Sequence, residues 1–173
     1  QDHPLFPMAS PSSLACGDGS AAQRWDDETE GQAPLSCVSC ALSIGVNSYT
    51  CEDLWEELAS GVADAEEFNQ AVETSLTQNT RLVANPTRGD LWRALEEWID
   101  LMQEGTSSLL FYAGHGYESD GDFFLVPSDS VRAPDDVRLA DVMQMIDQRY
   151  INRTVLFFIA ACRDPPAVDP PKW

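Results

Sequence analysis

The sequence is poor in basic residues and contains no long apolar run. Ten lysines and arginines stand against 29 aspartates and glutamates, which gives a formal net charge of -19 over 173 residues. Such a charge repels phosphate backbones and anionic lipid surfaces, so we expect neither nucleic acids nor membranes as partners. The sequence also lacks an apolar run of about 18 residues and a basic segment followed by an apolar one, which argues against a membrane span and a secretory signal. We therefore expect a cytoplasmic protein.

Histidine and paired cysteine motifs are also scarce. The two histidines are His3 and His115, and the five cysteines lie at positions 16, 37, 40, 51 and 162. Cys37 and Cys40 form a lone CxxC pair, and no second pair completes a zinc site. We therefore expect free thiols in a reducing compartment and no bound structural metal. The sequence has no G-x-S-x-G motif, so a serine hydrolase of the α/β class is not favoured.

The remaining pattern is that of one globular domain behind an irregular segment. Residues 1–40 mix Pro, Ser, Gly and acids without periodicity, which predicts a flexible leader or linker. Strands are predicted at residues 41–46, 81–84, 108–113, 123–126 and 154–160. Helices are predicted at 64–76, between a capping box at 87–90 and Gly105, and at 139–150. Residues 165–173 form a Pro-rich tail that continues neither kind of element.

Strands that alternate with helices predict an α/β fold, in which a mainly parallel sheet is flanked by helices. In such sheets the functional site lies at the carboxyl ends of the strands. Helical spacing also predicts which side chains of the first and third helices face the core, namely Ala65, Phe68, Val72 and Leu76, and Val142, Met143, Ile146 and Tyr150.

Two of the apolar runs end in residues that can perform acyl transfer. Residues 111–116 read Phe-Tyr-Ala-Gly-His-Gly, and residues 157–164 read Phe-Phe-Ile-Ala-Ala-Cys-Arg-Asp. His115 and Cys162 thus supply an imidazole base and a thiol nucleophile, the minimum for a cysteine peptidase. If the two strands are neighbours, their ends lie ~5 Å apart and the pair meets at one edge. Taken singly, each has an ordinary alternative, a polar residue in a surface turn or a small buried residue at a strand end.

Together with Leu-Val-Pro-Ser-Asp at 125–129, these motifs resemble the caspase-like cysteine peptidases, the clan of caspases, metacaspases and paracaspases. They look most like paracaspases and bacterial caspase-like proteins. The resemblance covers residues 41–164, the larger catalytic subunit, and implies a caspase-like three-layer sandwich that hydrolyses peptide bonds in a protein or peptide substrate. It makes Cys162 the nucleophile and His115 the general base and acid. The backbone N–H groups of Gly116 and Cys162 would form the oxyanion hole.

The resemblance also bears on specificity. Metacaspases and paracaspases accept a basic residue at P1, the position before the cleaved bond, through two acids in the S1 pocket. Asp64, at the start of the first helix, matches one of these acids, and Ala160 stands where the second normally lies. The resemblance therefore implies cleavage after Arg or Lys, weakened by the missing carboxylate. Asp64 is equally suited to interact with the helix dipole.

No cofactor is expected, and calcium is kept as an alternative. Some metacaspases bind calcium through aspartates, whose hard oxygen atoms suit this ion. The residues near the corresponding places are Asp129, Asp135, Asp136 and Asp169.

The resemblance also implies that a part of the domain is absent. Only 11 residues follow Cys162, whereas caspase-like domains normally continue into a smaller subunit that adds two strands. We therefore expect the strand at 154–160 to have an exposed edge that a small subunit or a second protomer covers. Ala160 and the absent small subunit also leave open a second function, that of a non-catalytic caspase-like scaffold or regulator.

Overall fold

Ten elements follow one another in a computed structural model that describes residues 37–131, 136–149 and 154–161. Of the predicted leader only residues 37–40 are described, and the predicted tail at 165–173 lies outside the described residues. The elements are β1 (Val38–Gly45), α1 (Gly61–Ser75), β2 (Thr80–Ala84), α2 (Arg88–Asp100), β3 (Ser107–Ala113), β4 (Gly116–Ser119), β5 (Asp122–Leu125), β6 (Val137–Arg138), α3 (Leu139–Arg149) and β7 (Thr154–Ala160).

A four-stranded parallel sheet in the order β2-β1-β3-β7 forms the centre of the domain. Along β1, successive side chains point to opposite faces. Ala41 packs with Val72 of α1 on one face, whereas Leu42 and Ile44 join the larger core that contains the apolar sides of α2 and α3. The predicted α/β architecture, a parallel sheet between helical layers, is therefore confirmed. None of the described helices is long and apolar enough to span a membrane.

The ends of the first strand and helix differ from the sequence-based prediction. β1 begins at Val38 rather than at residue 41, because Val38 already pairs with Ser107 of β3. The ladder shifts register at the polar Ser39, whose hydroxyl lies 3.0 Å from that of Ser108. α1 begins at Gly61, three residues before the predicted start. The prediction missed this turn because glycine is a poor helix former and gives no helical signal. The predicted cap of α2 is confirmed, as Thr87 Oγ1 accepts a hydrogen bond from the Asp90 N–H at 3.2 Å.

Two predicted core positions are wrong. Met143 is 50% exposed, while Val142 and Ile146 are buried. The buried face of α3 runs through positions 142, 145 and 146, and residue 143 lies about 100° around the helix from residue 142. Leu76 is 54% exposed because it is the C-cap of α1 rather than part of its inner face. Tyr150 lies outside the described residues.

A second, smaller antiparallel sheet, β4-β5-β6, follows directly after β3. Asp120 and Gly121 connect β4 to β5 with φ angles of 52° and 82°. Two successive positive φ angles are typical of the tight turn that matches the twist of a hairpin. Only β5 was predicted, and β4 brings His115 to the start of this hairpin.

Candidate active site

The two predicted catalytic segments leave neighbouring strands at the same end of the sheet. β3 and β7 pair in parallel, and their last residues, Ala113 and Ala160, are register partners. The Gly114 N–H donates to the Ala160 carbonyl at 3.3 Å. An ideal Cβ placed on Gly116 would lie 3.1 Å from the Cβ of Ala161. The residue that precedes Cys162 therefore lies against the His-Gly loop, while Cys162 itself lies outside the described residues.

The imidazole of His115 is oriented by a backbone carbonyl. Its Nε2 lies 2.8 Å from the carbonyl oxygen of Glu56, in the loop between β1 and α1. A carbonyl oxygen can only accept, so this contact assigns a hydrogen to Nε2, and in the neutral ring Nδ1 is then the accepting nitrogen. The ring is half-buried between Tyr49 and Trp55, whose ring centroids lie 4.9 and 5.5 Å from its own. The ring therefore has the orientation and tautomer of a base that works through Nδ1.

The aromatic neighbours of His115 are themselves held in a packed row. Trp55 donates its indole N–H to the hydroxyl of Ser130 at 3.1 Å and stacks on Tyr117 at a centroid distance of 5.9 Å. Tyr117 in turn stacks on Phe124 at 5.0 Å. This row connects the β1–α1 loop to the hairpin of β4 and β5. The sequence analysis missed it, although a tyrosine and a tryptophan in an otherwise polar segment were a usable signal.

Gly116 occupies a position that has no room for a side chain. A Cβ there would lie 2.7 Å from Cζ of Phe123 and 3.1 Å from both the Phe124 carbonyl and Cβ of Ala161. The absence of a Cβ allows the backbone at Gly116 to approach β7, as a donor to an oxyanion must. Because the second predicted donor is the N–H of Cys162, the complete oxyanion hole stays a prediction.

Asp64 lies in the first turn of α1, which begins over the ends of the central strands. A Cβ on Gly61 would lie 2.7 Å from the Val46 carbonyl and 2.9 Å from the Ala113 carbonyl. The helix therefore starts at the same edge of the sheet as the His115 loop. The Asp64 carboxylate is exposed and accepts a hydrogen bond from the Ser60 hydroxyl at 3.0 Å. Its role in an S1 pocket stays a prediction.

The aspartates considered for calcium have other contacts where they are described. Asp129 accepts a hydrogen bond from the Arg88 N–H at 2.7 Å, at the start of α2. Asp136 is 4% exposed and lies beside Tyr117, whose pKa is raised first by burial and then by the charge of this carboxylate. Among the described residues no group of three or more His, Cys, Asp or Glu could hold a metal ion. Asp135 and Asp169 lie outside the described residues, so calcium stays an alternative that the resemblance suggests.

The cysteines of the CxxC motif are free. Cys37 is exposed and Cys40 is buried, and Cys51 in the β1–α1 loop is also a free thiol. This agrees with the expectation of free thiols for these three residues.

Comparison with known proteins gives relatives that are much longer than this chain. Over 143 residues the chain is 27% identical to the mouse mucosa-associated lymphoid tissue lymphoma translocation protein 1 homolog, covering 80% of this chain and 16% of that protein. Over 80 residues it is 30% identical to the human mucosa-associated lymphoid tissue lymphoma translocation protein 1, covering 44% of this chain and 10% of that protein. The chain therefore spans less than a fifth of the length of these curated relatives.

The fold and the family agree with the motifs. A solved structure of a protein from Geobacter sulfurreducens superimposes with a TM-score of 0.56 at 21% identity, covering 72% of this chain and 50% of that one, which supports the fold alone. The family model described as the caspase domain matches residues 38–172, well over half of the chain. The chain belongs to the caspase domain family of peptidases.

Proposed function

We propose that this chain is a cysteine-type endopeptidase in which His115 and Cys162 form the catalytic dyad. The observation that carries the proposal is the register of β3 and β7, in which Ala113 lies opposite Ala160. His115 and Cys162 each follow one of these two register partners by two residues in the sequence. The fixed imidazole supports the role of base, because the hydrogen bond from Nε2 to the Glu56 carbonyl leaves Nδ1 able to accept a proton.

The proposed reaction follows from these positions. Nδ1 of His115 takes the proton of the Cys162 thiol, and the thiolate attacks the carbonyl carbon of the scissile peptide bond. The carbonyl oxygen becomes an oxyanion that accepts hydrogen bonds from the N–H groups of Gly116 and Cys162. When the tetrahedral intermediate collapses, the C–N bond breaks and His115 gives its proton to the leaving amine. His115 then activates a water molecule that hydrolyses the thioester and restores the thiol.

The proposed preference is for Arg or Lys at P1. Asp64 offers an exposed carboxylate in the first turn of α1, at the edge of the sheet that carries His115. Ala160, register partner of Ala113, supplies no second carboxylate. We expect Asp64→Asn to lower kcat/KM for Arg substrates about tenfold. An unchanged ratio of Arg to norleucine cleavage in this variant would contradict the assignment.

The proposed partner is a small subunit or a second protomer that pairs with β7. Among the described residues, β7 pairs with β3 on one side and has no strand on the other. Leu156 and Phe158 on this strand are 45% and 44% exposed. An apolar strand at the edge of a sheet favours addition of another strand. We therefore expect activity to rise when such a partner is added.

The alternative function is a non-catalytic caspase-like scaffold or regulator. Ala160 and the half-exposed β7 favour it, because a site that lacks the second carboxylate and borders a partly uncovered strand is expected to bind substrate less tightly. A scaffold of this kind would bind peptide without turnover.

The test is hydrolysis of fluorogenic peptides with Arg, Lys or Asp at P1, by the wild-type chain and by Cys162→Ala, each alone and in a version extended beyond Trp173. We expect release of fluorophore from the Arg and Lys peptides by wild type and none by the variant. Hydrolysis that survives in Cys162→Ala would overturn the dyad. Peptide binding without turnover in every wild-type version would support the scaffold instead.

A further inference from the structure

One tyrosine of the β1–α1 loop contacts both the backbone and the ring of His115. The hydroxyl of Tyr49 accepts a hydrogen bond from the His115 N–H at 2.8 Å. Its ring centroid lies 4.9 Å from that of the imidazole, at an interplanar angle of 48°. Tyr49 is 6% exposed, so water has little access to these contacts. The same loop supplies the Glu56 carbonyl that orients Nε2.

A second tyrosine, Tyr112 of β3, contacts the other side of the His115 peptide. Its hydroxyl lies 2.7 Å from the His115 carbonyl and 2.9 Å from the Val126 carbonyl, and it accepts a hydrogen bond from the Val126 N–H at 3.1 Å. Carbonyl oxygens only accept, so the single hydroxyl hydrogen of Tyr112 goes to them. Tyr112 is fully buried, which makes every one of these contacts costly to lose.

The hydroxyls of Tyr49 and Tyr112 hold the two main-chain polar groups of His115. Tyr49 accepts a hydrogen bond from the His115 N–H, and the Tyr112 hydroxyl lies within hydrogen-bond distance of the His115 carbonyl. Gly114 makes this approach possible, because a Cβ there would lie 2.6 Å from the Tyr112 hydroxyl and 3.1 Å from that of Tyr49.

Both tyrosine hydroxyls stay protonated over the pH range in which peptidases work. Burial raises the pKa of Tyr49 to about 12 and raises the pKa of Tyr112 well above its ordinary value. Both contacts to the His115 backbone therefore involve neutral phenols. Both main-chain polar groups of His115 are bonded to tyrosine hydroxyls, which fixes the residue independently of what its ring contacts.

We propose that Tyr49 is a positioning residue for His115, and that its hydroxyl holds the His115 backbone N–H so that the imidazole keeps the Nε2–H tautomer. Tyr49 does not touch the reacting atoms in this proposal and acts through His115. The kinetic consequence rests on the proposed peptidase function. The structural consequence does not, and it is measured separately.

The first test is the tautomer of His115 by long-range ¹H–¹⁵N NMR of the imidazoles. The chain has two histidines, so His3 is an internal reference in every spectrum. At a pH where the ring is neutral, we expect the Nε2–H pattern for His115 in wild type. In Tyr49→Phe we expect averaging toward a mixture of the two tautomers, with His3 unchanged. A wild-type pattern retained in Tyr49→Phe would overturn the proposal, whether or not the chain proves to be a peptidase.

The matched control is Tyr117→Phe, which removes the hydroxyl of another buried tyrosine. Tyr117 is 2% exposed and packs against Trp55 rather than against the His115 backbone. We expect it to affect stability without changing the tautomer of His115. An equal tautomer change in Tyr117→Phe would mean that loosening of the fold alone accounts for the effect, and would contradict a specific role for Tyr49.

The second test is kinetic. An N–H that loses its acceptor away from water is destabilised, and we expect Tyr49→Phe to lower kcat about tenfold with KM little changed. A purely substrate-binding role would raise KM instead, and a kcat within twofold of wild type would overturn the proposal. If the variant does not fold, amide exchange of wild type replaces it. The His115 amide should exchange at least about tenfold more slowly than an exposed loop amide, and equal rates would contradict the proposed hydrogen bond.

Discussion

The two strands that lead to the candidate catalytic residues are equally long and directly paired, yet they are buried very differently. β3 and β7 each have seven residues. Six of the seven in β3 are buried, whereas β7 alternates between exposed and half-buried positions. Leu109 of β3 is 4% exposed, and its register partner Leu156 of β7 is 45% exposed. The difference arises because β3 has a strand on each side and β7 lies at the end of the described sheet.

The candidate site has two halves, one after β3 and one after β7, that differ in how firmly they are held. The half after β3 is held by the hydroxyls of Tyr49 and Tyr112, by the Glu56 carbonyl and by an aromatic row. The half after β7 follows a strand whose apolar side chains are only partly covered. An orientation fixed by hydrogen bonds within the domain does not depend on a partner, whereas a half-exposed edge strand does. We therefore expect the base to be preformed and the nucleophile side to respond to a partner.

The largest expected effect separates the two strands directly. Leu109→Ala and Leu156→Ala delete the same atoms from paired positions on one face of the sheet. We expect a loss of about 3 kcal/mol of unfolding free energy for Leu109→Ala and about 1 kcal/mol or less for Leu156→Ala. Urea unfolding followed by circular dichroism measures both. Equal losses would show that β7 is covered as well as β3 is.

The next effect concerns the contact between the two halves. Gly116→Ala puts a methyl group 2.7 Å from Phe123 and 3.1 Å from Cβ of Ala161, so the hairpin or the end of β7 has to shift. We expect kcat/KM to fall about thirtyfold. Gly89→Ala is the control, since a Cβ there meets only Thr87 Oγ1 at 4.0 Å. Comparable activity in the two variants would show that the close approach at Gly116 is unimportant.

The smallest expected effect is a pH dependence of stability that Tyr49 contributes in the half of the site after β3. The pKa of Tyr49 is raised from 10.0 to about 12 by burial, so between these values the folded chain keeps a proton that the unfolded chain loses. Its contribution is complete below pH 10, and stability falls as pH rises, by about 1.4 kcal/mol per pH unit from this group. Tyr49→Phe should therefore show a shallower loss of unfolding free energy between pH 10 and 11.5. Identical slopes would mean that Tyr49 is not buried in this way.

Much of the fold could be predicted because its signals are local. Apolar runs alternate with segments of helical periodicity, and this order was enough to predict the parallel sheet and its helices. Thr87 was recognisable as a helix cap. The strand β4 was missed because it has four residues, begins with glycine and follows β3 after only two residues. Met143 was placed wrongly because adjacent apolar residues on a helix cannot share one narrow face.

The site was predictable only in part, for a different reason. The side chains of His115 and Cys162 carry recognisable chemistry at the ends of strands. The orientation of His115 depends on the carbonyl of Glu56, and since every residue has a backbone carbonyl, the residue type does not reveal this contact. The role of Tyr49 depends on the path of an irregular loop, which has no periodicity to read. Contacts of this kind become visible only once the chain is folded.

The most direct test of the central claim is selective alkylation of Cys162, followed by peptide mapping. The chain carries its own reference, because Cys37 is an exposed free thiol. With a peptidyl-arginine acyloxymethyl ketone, we expect Cys162 to be labelled at least about 100-fold faster than Cys37, and His115→Ala to abolish this advantage. Labelling of Cys162 and Cys37 at similar rates, or a rate for Cys162 that does not depend on His115, would contradict the dyad.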